Sequence, residues 1–134
     1  MSSVDLVDET FVVAPPAAVA AAVHEPARWH GWWPDLALTV FMDRGEAGLR
    51  WNVTGALSGS AELWLEPYAD GVVIHHYLRG ELEGGAPDGS GRASHRGRRL
   101  ARRHALRWKA SVNALKDQLE VGRVVGEGPA APNG

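Results

Sequence analysis

The order of the predicted elements indicates an α+β protein in which a bent antiparallel sheet of five to seven strands wraps around a long C-terminal helix. Three observations predict this arrangement. A first strand ends at Ala14-Pro15-Pro16 and leads directly into a short alanine-rich helix. Several segments with alternating apolar and polar residues follow an aromatic corner, Trp29 to Pro34. An amphipathic helix over residues 92–121 closes the domain.

The N-terminal part is predicted as a strand followed by two short helices. Residues 4–13 carry apolar side chains at both parities, so both faces of this strand are expected to be partly covered. Pro15 and Pro16 end the strand because proline cannot donate to a ladder, and Pro16 can open the helix over residues 17–23. Pro26 ends that helix and begins a second short helix over residues 26–30.

Alternation of apolar and polar residues predicts four further strands. Leu49, Trp51 and Val53, for example, alternate with Arg50 and Asn52. The predicted strands cover residues 36–42, 49–57, 61–65 and 72–82. Turns are predicted where small and polar residues cluster, at residues 43–48, 58–60 and 68–71.

The closing helix has one apolar stripe and one basic side. The stripe consists of Ala93, Gly97, Ala101, His104, Trp108, Val112, Leu115 and Leu119. Gly122 is a suitable residue to end the helix, and residues 122–134 are rich in Gly and Pro, which predicts a disordered tail. The domain organisation expected is therefore a single domain over residues 4–121 followed by this tail.

The bulk composition indicates a globular protein. The 134 residues are 45% hydrophobic and 22% charged, which suits one domain with its own core. The absence of cysteine excludes disulfides and thiolate catalysis, and it favours a cytoplasmic location. The N-terminus lacks the pattern of a signal peptide, and no apolar run approaches the roughly 18 residues that span a bilayer.

The net charge of −2 conceals a strong segregation of charge along the chain. Residues 1–91 hold 13 acidic and four basic residues, whereas residues 92–109 hold eight basic residues and no acidic one. Two interpretations remain open. The basic helix lies against an acidic rim of the sheet, or it faces an anionic lipid surface or another acidic partner.

The sequence resembles the START-like, or SRPBCC, superfamily, and within it the actinobacterial polyketide cyclase/dehydrase and lipid-transport proteins. Four segments carry the resemblance: Phe11 to Pro16 with Val19, Trp32-Trp33-Pro34, Glu62 to Pro67 with Asp70-Gly71, and Leu106, Trp108, Leu115 and Lys116 in the closing helix. The resemblance covers about residues 4 to 121.

The resemblance implies a helix-grip fold with a cavity between the sheet and the last helix. It implies binding of a hydrophobic small molecule, a lipid or a polyketide, or alternatively aromatase/cyclase or dehydrase activity in that cavity. Such sheets usually have seven strands, whereas five are clear here, with a hairpin shortened or missing between Thr54 and Ser60. A smaller sheet leaves a shallower groove or pairs with a second subunit, which would make a homodimer.

Seven residues are candidates for contact with a ligand. Tryptophan suits flat or ring-containing molecules, and each of the polar candidates offers a hydrogen bond. Each of these side chains is also compatible with ordinary core packing, and the corner tryptophans are compatible with sealing one end of the sheet. The candidates are Trp33, Trp51, Asn52, Trp64, His104, Trp108 and Val112.

Four strand residues, Arg50, Glu62, His76 and Tyr77, are the candidates for acid–base and orienting roles in the enzyme alternative. A histidine near neutral pKa can act as a base, and a buried carboxylate can act once its pKa is raised. His75 and His76 are adjacent, so on a strand they point to opposite faces. Convergence of two or more candidates inside the cavity favours an enzyme, and a wholly apolar interior favours a binding protein.

The basic side of the helix suggests a third interpretation of the function, a peripheral membrane or protein-interaction module. Arg99, Arg102 and Arg103 surround an outward Leu106, a pattern that can rest on an anionic surface. Nucleic acid is disfavoured because the protein is otherwise acidic and shows no recognised binding motif. The six histidines have no metal-ligand spacing, and no serine-nucleophile or phosphate-loop motif is present, so we expect neither a metal nor a cofactor.

Overall fold

The computed structural model describes residues 4–82 and 91–121, with side chains from residue 95 onward in the second range. The elements are β1 (Val4–Val12), α1 (Pro16–Val23), α2 (Pro26–Trp32), β2 (Leu36–Asp43), a single 3-10 turn (Gly45–Ala47), β3 (Gly48–Gly55), β4 (Leu57–Tyr68), β5 (Gly71–Leu82) and α3 (Gly91–Leu119). The predicted tail, the loop before α3 and the Gly122 helix end lie outside these residues.

The five strands form one antiparallel sheet in the order β1-β5-β4-β3-β2. Alternate residues of β3, β4 and β5 are buried on the face that carries α3 and the two short helices, whereas in the edge strand β2 only Leu36 is buried. The inward residues of β5, for example, are Val72, Ile74, His76 and Leu78. This arrangement confirms the predicted α+β fold class, with two short helices between the first and second strands.

The apolar stripe of α3 provides the other half of the core. Trp108, Val112 and Leu115 are buried, and Leu100 joins them although the predicted stripe did not include it. Leu106 points outward with 63% of its surface exposed, as its position opposite the stripe predicts. The side chain of Ala93, the first predicted member, lies outside the described residues.

The predicted turn at Ser58-Gly59-Ser60 is wrong, because these residues lie inside the 12-residue strand β4. The chain reverses instead at Gly55 and Ala56. Gly55 has a φ of 106°, which side chains with a Cβ rarely adopt. Small polar residues are typical of turns, but here all three pair with β5, and Gly59 and Ser60 also pair with β3.

Gly59 allows β4 and β5 to approach closely. It pairs with Gly80, and a Cβ added at Gly59 would overlap the carbonyl oxygen of Arg79 and lie 2.6 Å from the Cα of Gly80. A glycine inside a strand commonly marks such a close approach of two backbones. Because neither glycine of this pair has a side chain, β4 and β5 can lie this close together.

We predict that Gly59→Ala lowers the free energy of unfolding by about 1–3 kcal/mol, because the added methyl group forces the strands apart. Ser58→Ala, an exposed neighbour on the same strand, should change it by less than about 0.5 kcal/mol. Urea denaturation of both variants measures the two differences. Equal stability of the two variants would show that the strands do not approach as closely as described.

Candidate functional site

Five aromatic side chains form a layer between the sheet and α3. Trp33, Trp51 and Trp108 have no more than 1% of their surface exposed. The ring centroids of Trp33 and Trp51 are 5.0 Å apart, and those of Trp32 and Trp108 are 5.6 Å apart. We call Trp32, Trp33, Trp51, His76 and Trp108 the aromatic layer. Its rings are in direct contact, so they fill the centre of the space that the sheet and helix enclose.

His76 is the polar member of the aromatic layer and is neutral. Its ring stacks on Trp108 with centroids 4.3 Å apart, and the Nε1–H of Trp33 donates to its Nε2 at 3.2 Å. Burial lowers the pKa of His76 to about 3, with a smaller lowering from His104 and an opposing effect of Asp8. Since Nε2 accepts a hydrogen bond, the proton of the neutral ring is assigned to Nδ1. This Nδ1 has no hydrogen-bond partner among the described residues.

Asp8 connects the aromatic layer to the first strand. Its Oδ2 accepts hydrogen bonds from Trp108 Nε1 at 2.9 Å and from the Thr10 hydroxyl at 3.1 Å, and Lys109 Nζ lies 3.1 Å from Oδ1. Burial raises the pKa of Asp8, but the hydrogen bonds from Trp108, Lys109 and Thr10 outweigh it, so the pKa lies below its usual range. Asp8 is therefore ionised at neutral pH and fixes the rotation of α3 about its axis.

A cavity of about 420 Å³ opens at the end of the grip, beside the N-terminal half of α3. Its apolar lining comes from three different elements: Ala56 in the turn after β3, Leu82 at the end of β5 and Leu100 on α3. Among the described residues, its polar lining is formed by Arg96, Arg99 and Arg103. We call this space the mouth cavity. No ring of the aromatic layer lines it.

A second cavity of about 320 Å³, the side cavity, lies next to the mouth cavity and shares Arg103 with it. Asp35 Oδ1 lies 2.9 Å from Nε2 of the buried His104, and Asp35 Oδ2 accepts from Arg103 Nη2 at 3.0 Å. Burial lowers the pKa of His104, Arg103 and Arg107 lower it further, and Asp35 opposes them. The side cavity thus joins a neutral imidazole, a carboxylate and two guanidinium groups; its lining is Pro34, Asp35, Arg103, His104 and Arg107.

The structure separates the four residues predicted to act as acids, bases or orienting groups. Arg50, Glu62 and Tyr77 are cross-strand neighbours on the outer face of the sheet, whereas His76 lies in the aromatic layer. The three outer residues line a groove of about 130 Å³ together with Ser60 and Arg79. Strand alternation is the physical reason, because neighbours such as His76 and Tyr77 must face opposite sides. The four residues therefore do not converge in one cavity.

The seven predicted ligand contacts divide among three locations. Trp33, Trp51, Trp108 and Val112 are buried in the interior, and His104 lines the side cavity. The other two residues lie on the outer face of the sheet, because their parity is opposite to that of Trp51. They are Asn52, which is exposed, and Trp64, whose ring stacks on His75 with centroids 4.3 Å apart.

The four residues predicted to meet a membrane or an acidic partner lie on the outside of α3. Arg99, Arg102 and Leu106 are exposed, and Arg103 is exposed but held by Asp35. Arg99 and Arg103 also line the mouth cavity, whereas Arg102 lines neither cavity. The basic side of α3 is thus two groups of arginines with different surroundings.

The sequence candidates did not include Asp35 or the apolar residues of the mouth cavity. Arg96, Arg99, Arg103 and Arg107 follow one another at helical spacing, which is a signal for a shared face. Ala56 and Leu82 come from a turn and a strand end, so only the fold brings them to this face.

No helix in residues 4–82 and 91–121 is long and apolar enough to cross a membrane.

Solved structures with similar folds are found, although no protein-family model and no curated protein sequence matches this chain. The Aha1 dimer from Colwellia psychrerythraea has a TM-score of 0.57 at 14% identity, over 90% of this chain and 99% of that one. A polyketide-cyclase-like protein from Corynebacterium glutamicum has a TM-score of 0.55 at 19% identity, over 92% and 97%. A di-domain aromatase/cyclase of the steffimycin biosynthetic pathway has a TM-score of 0.56 at 14% identity, over 86% of this chain and 51% of that protein. At these identities the likeness establishes the fold.

The burial of His76 predicts a stability that falls with acid. Below pH 6.5 the unfolded chain binds a proton at this imidazole, whereas the folded protein binds it only near pH 3. The contribution of His76 to the free energy of unfolding is fully present above pH 6.5. It is lost as the pH falls towards 3, by up to about 1.4 kcal/mol per pH unit. We therefore predict that His76→Gln flattens the decline of the unfolding free energy between pH 6.5 and pH 4, measured by urea denaturation.

His30→Gln is the matched control. His30 is exposed, so this substitution removes a histidine without changing the aromatic layer. This variant should keep the slope of the wild-type protein. A His76→Gln profile parallel to that of the wild type would mean that His76 is not held neutral in the folded state.

Proposed function

We propose that this protein, which has the START-like helix-grip fold, binds a hydrophobic small molecule in the mouth cavity. The observation that carries the proposal is a space of about 420 Å³ with a partly apolar lining, placed between the end of the sheet and the closing helix. Small-molecule sites in proteins have volumes of about 300–1,000 Å³ and mostly apolar walls with a few polar groups. The mouth cavity has a volume in this range, and its described lining combines three apolar side chains, Ala56, Leu82 and Leu100, with three arginines.

The mouth is a better location for a ligand than the centre of the grip. Trp33, Trp51 and Trp108 are completely or almost completely buried and are packed ring against ring. A ligand at the centre would have to displace rings that contribute the largest apolar areas of the core. A ligand at the mouth gains about 0.8 kcal/mol for each methylene group that it buries and displaces no side chain of the aromatic layer.

Filling the mouth cavity tests this proposal. We predict that Ala56→Phe weakens the binding of decan-1-ol and 2-naphthol, one flexible and one ring-shaped probe, by about tenfold or more. Loss of two buried methylene contacts accounts for a factor of that size. Isothermal titration calorimetry measures the affinities, and native mass spectrometry gives the stoichiometry.

Thr54→Phe is the matched control, since Thr54 lies on the same hairpin but is exposed and lines neither cavity. It should bind both probes as the wild-type protein does. If the wild-type protein binds neither probe, or if both variants bind equally well, the ligand site is not in the mouth cavity.

Acid–base catalysis in the side cavity is a second candidate function. Asp35 Oδ1 lies 2.9 Å from His104 Nε2, although neither atom has a hydrogen-bond partner among the described residues, and Arg103 and Arg107 line the same cavity, where they can bind a developing oxyanion. The fold is shared with an aromatase/cyclase and a polyketide-cyclase-like protein. In this role His104 and Asp35 replace the predicted set of Arg50, Glu62, His76 and Tyr77.

The simplest reaction for such a pair is enolisation of a 1,3-diketone. His104 takes a proton from the carbon between the two carbonyl groups, and the enolate oxygen is bound by the arginines. Return of a solvent deuteron completes the exchange with no other reactant.

We predict that the protein accelerates deuterium exchange at this carbon of nonane-2,4-dione, followed by proton NMR, and that His104→Gln abolishes the acceleration. His95→Gln, on the exposed side of the same helix, should leave it unchanged. If the wild-type protein accelerates the exchange no more than the His104→Gln variant does, acid–base catalysis in the side cavity is ruled out and the proposed binding function is unaffected.

A further inference from the structure

We propose that the ligand of the mouth cavity carries an anionic group, a carboxylate or a phosphate ester on a hydrophobic body, and that Arg99 and Arg103 bind this group. The inference rests on the proposed binding function and adds the chemical class of the ligand. It follows from three features of the cavity: the placement of its arginines, its charge balance and the position of its apolar lining.

The arginines of the mouth cavity are neighbours on one face of α3. Arg96, Arg99 and Arg103 are three and four residues apart, which brings their side chains together along the helix surface. Like charges at this spacing destabilise a helix. An anion bound between Arg99 and Arg103 relieves this repulsion, because it places a negative charge between the two guanidinium groups.

Arg103 is already positioned for such a contact. Its Nη2 donates to Asp35 Oδ2 at 3.0 Å, and the other oxygen of Asp35 lies 2.9 Å from Nε2 of the buried His104. A guanidinium group has five N–H donors, so one contact with Asp35 leaves others for a ligand. Arg99 makes no ion pair with any residue that the structure describes. One arginine is thus held in place and the next is available.

The described lining of the two adjoining cavities carries more positive than negative groups. Arg96, Arg99, Arg103 and Arg107 line them, and Asp35 is the one carboxylate in their described lining. A partly enclosed space lined by one sign of charge concentrates the field and raises the local concentration of oppositely charged ligands. Arginine also binds carboxylates and phosphates with two parallel hydrogen bonds, which gives the contact a fixed orientation.

The apolar lining indicates that the anion is joined to a hydrophobic body. Ala56, Leu82 and Leu100 lie in the same cavity as the arginines. A ligand with its charged end at Arg99 and Arg103 can therefore place its apolar end against these three side chains. An inorganic anion would use the arginines only, and a neutral hydrocarbon would use the apolar lining only.

Two pairs of variants separate a specific site from the general basicity of the helix. Arg99→Gln and Arg103→Gln each remove one charge from the mouth cavity. Arg98→Gln and Arg102→Gln remove the same charge from the same helix, but both residues are exposed and line neither cavity. Affinities for decanoate, decyl phosphate, decan-1-ol and decyltrimethylammonium, all below their micelle concentrations, are measured by calorimetry at low and high salt.

We expect decanoate and decyl phosphate to bind about tenfold more tightly than decan-1-ol at low salt, and the advantage to shrink at high salt because exposed charges are screened. Arg99→Gln and Arg103→Gln should remove most of this advantage, so that each variant binds decanoate and decyl phosphate about as tightly as it binds decan-1-ol. Arg98→Gln and Arg102→Gln should keep it to within about twofold.

Four results would overturn the inference. Equal affinities for decanoate and decan-1-ol would leave the proposed binding function intact but show that the site does not select an anion. Equal losses in all four variants would show that the arginines act only through overall charge. Binding to phosphatidylglycerol vesicles in sedimentation, without binding of monomeric decanoate or decyl phosphate, would assign the basic helix to a membrane surface. Failure of every probe to bind would remove the proposed function as well.

Discussion

The stacking of Trp108 on His76 is the contact on which the position of the closing helix depends. Trp108 is held from one side by the His76 ring at 4.3 Å and from another by its hydrogen bond to Asp8 at 2.9 Å. These contacts join α3 to β5 and β1, the two strands that pair at one side of the sheet. Since Trp33 donates to His76, the corner after α2 is tied to the same point. The fold is thus organised around a neutral, buried imidazole that accepts a hydrogen bond from Trp33 and stacks on Trp108.

This packing determines where a ligand can bind. The aromatic layer occupies the centre of the grip, and below it Val112 and Leu115 continue the apolar core along α3. Towards its N-terminal end the helix presents Leu100 and His104 inward, while its arginines reach the rim of the sheet. The space that remains between helix and sheet therefore has an apolar lining and a basic rim. The large central rings fill the space behind the five-stranded sheet, and the mouth cavity lies at its open end beside the arginines.

Local patterns in the sequence predict most of the elements but not the faces of the strands. Alternation predicts the strands, the prolines predict the starts of the two short helices, and the stripe from Gly97 to Leu119 predicts the buried face of α3. The turn expected at Ser58 to Ser60 is wrong because pairing with residues far along the chain overrides local composition. Whether His75 or His76 points inward depends on the register between strands, which no short pattern contains. The pair of Asp35 and His104 is likewise set by packing between distant elements.

NMR of the methyl-labelled protein with bound decanoate tests most directly whether the interior is filled and the ligand binds at the mouth. We predict intermolecular contacts and chemical-shift changes at the methyl groups of Ala56, Leu82 and Leu100, which line the mouth cavity. The methyl groups of Leu63, Ile74 and Val112, which are buried in the core, should be unaffected. Contacts between decanoate and these core methyl groups would contradict the account, because they would require the aromatic layer to open around the ligand.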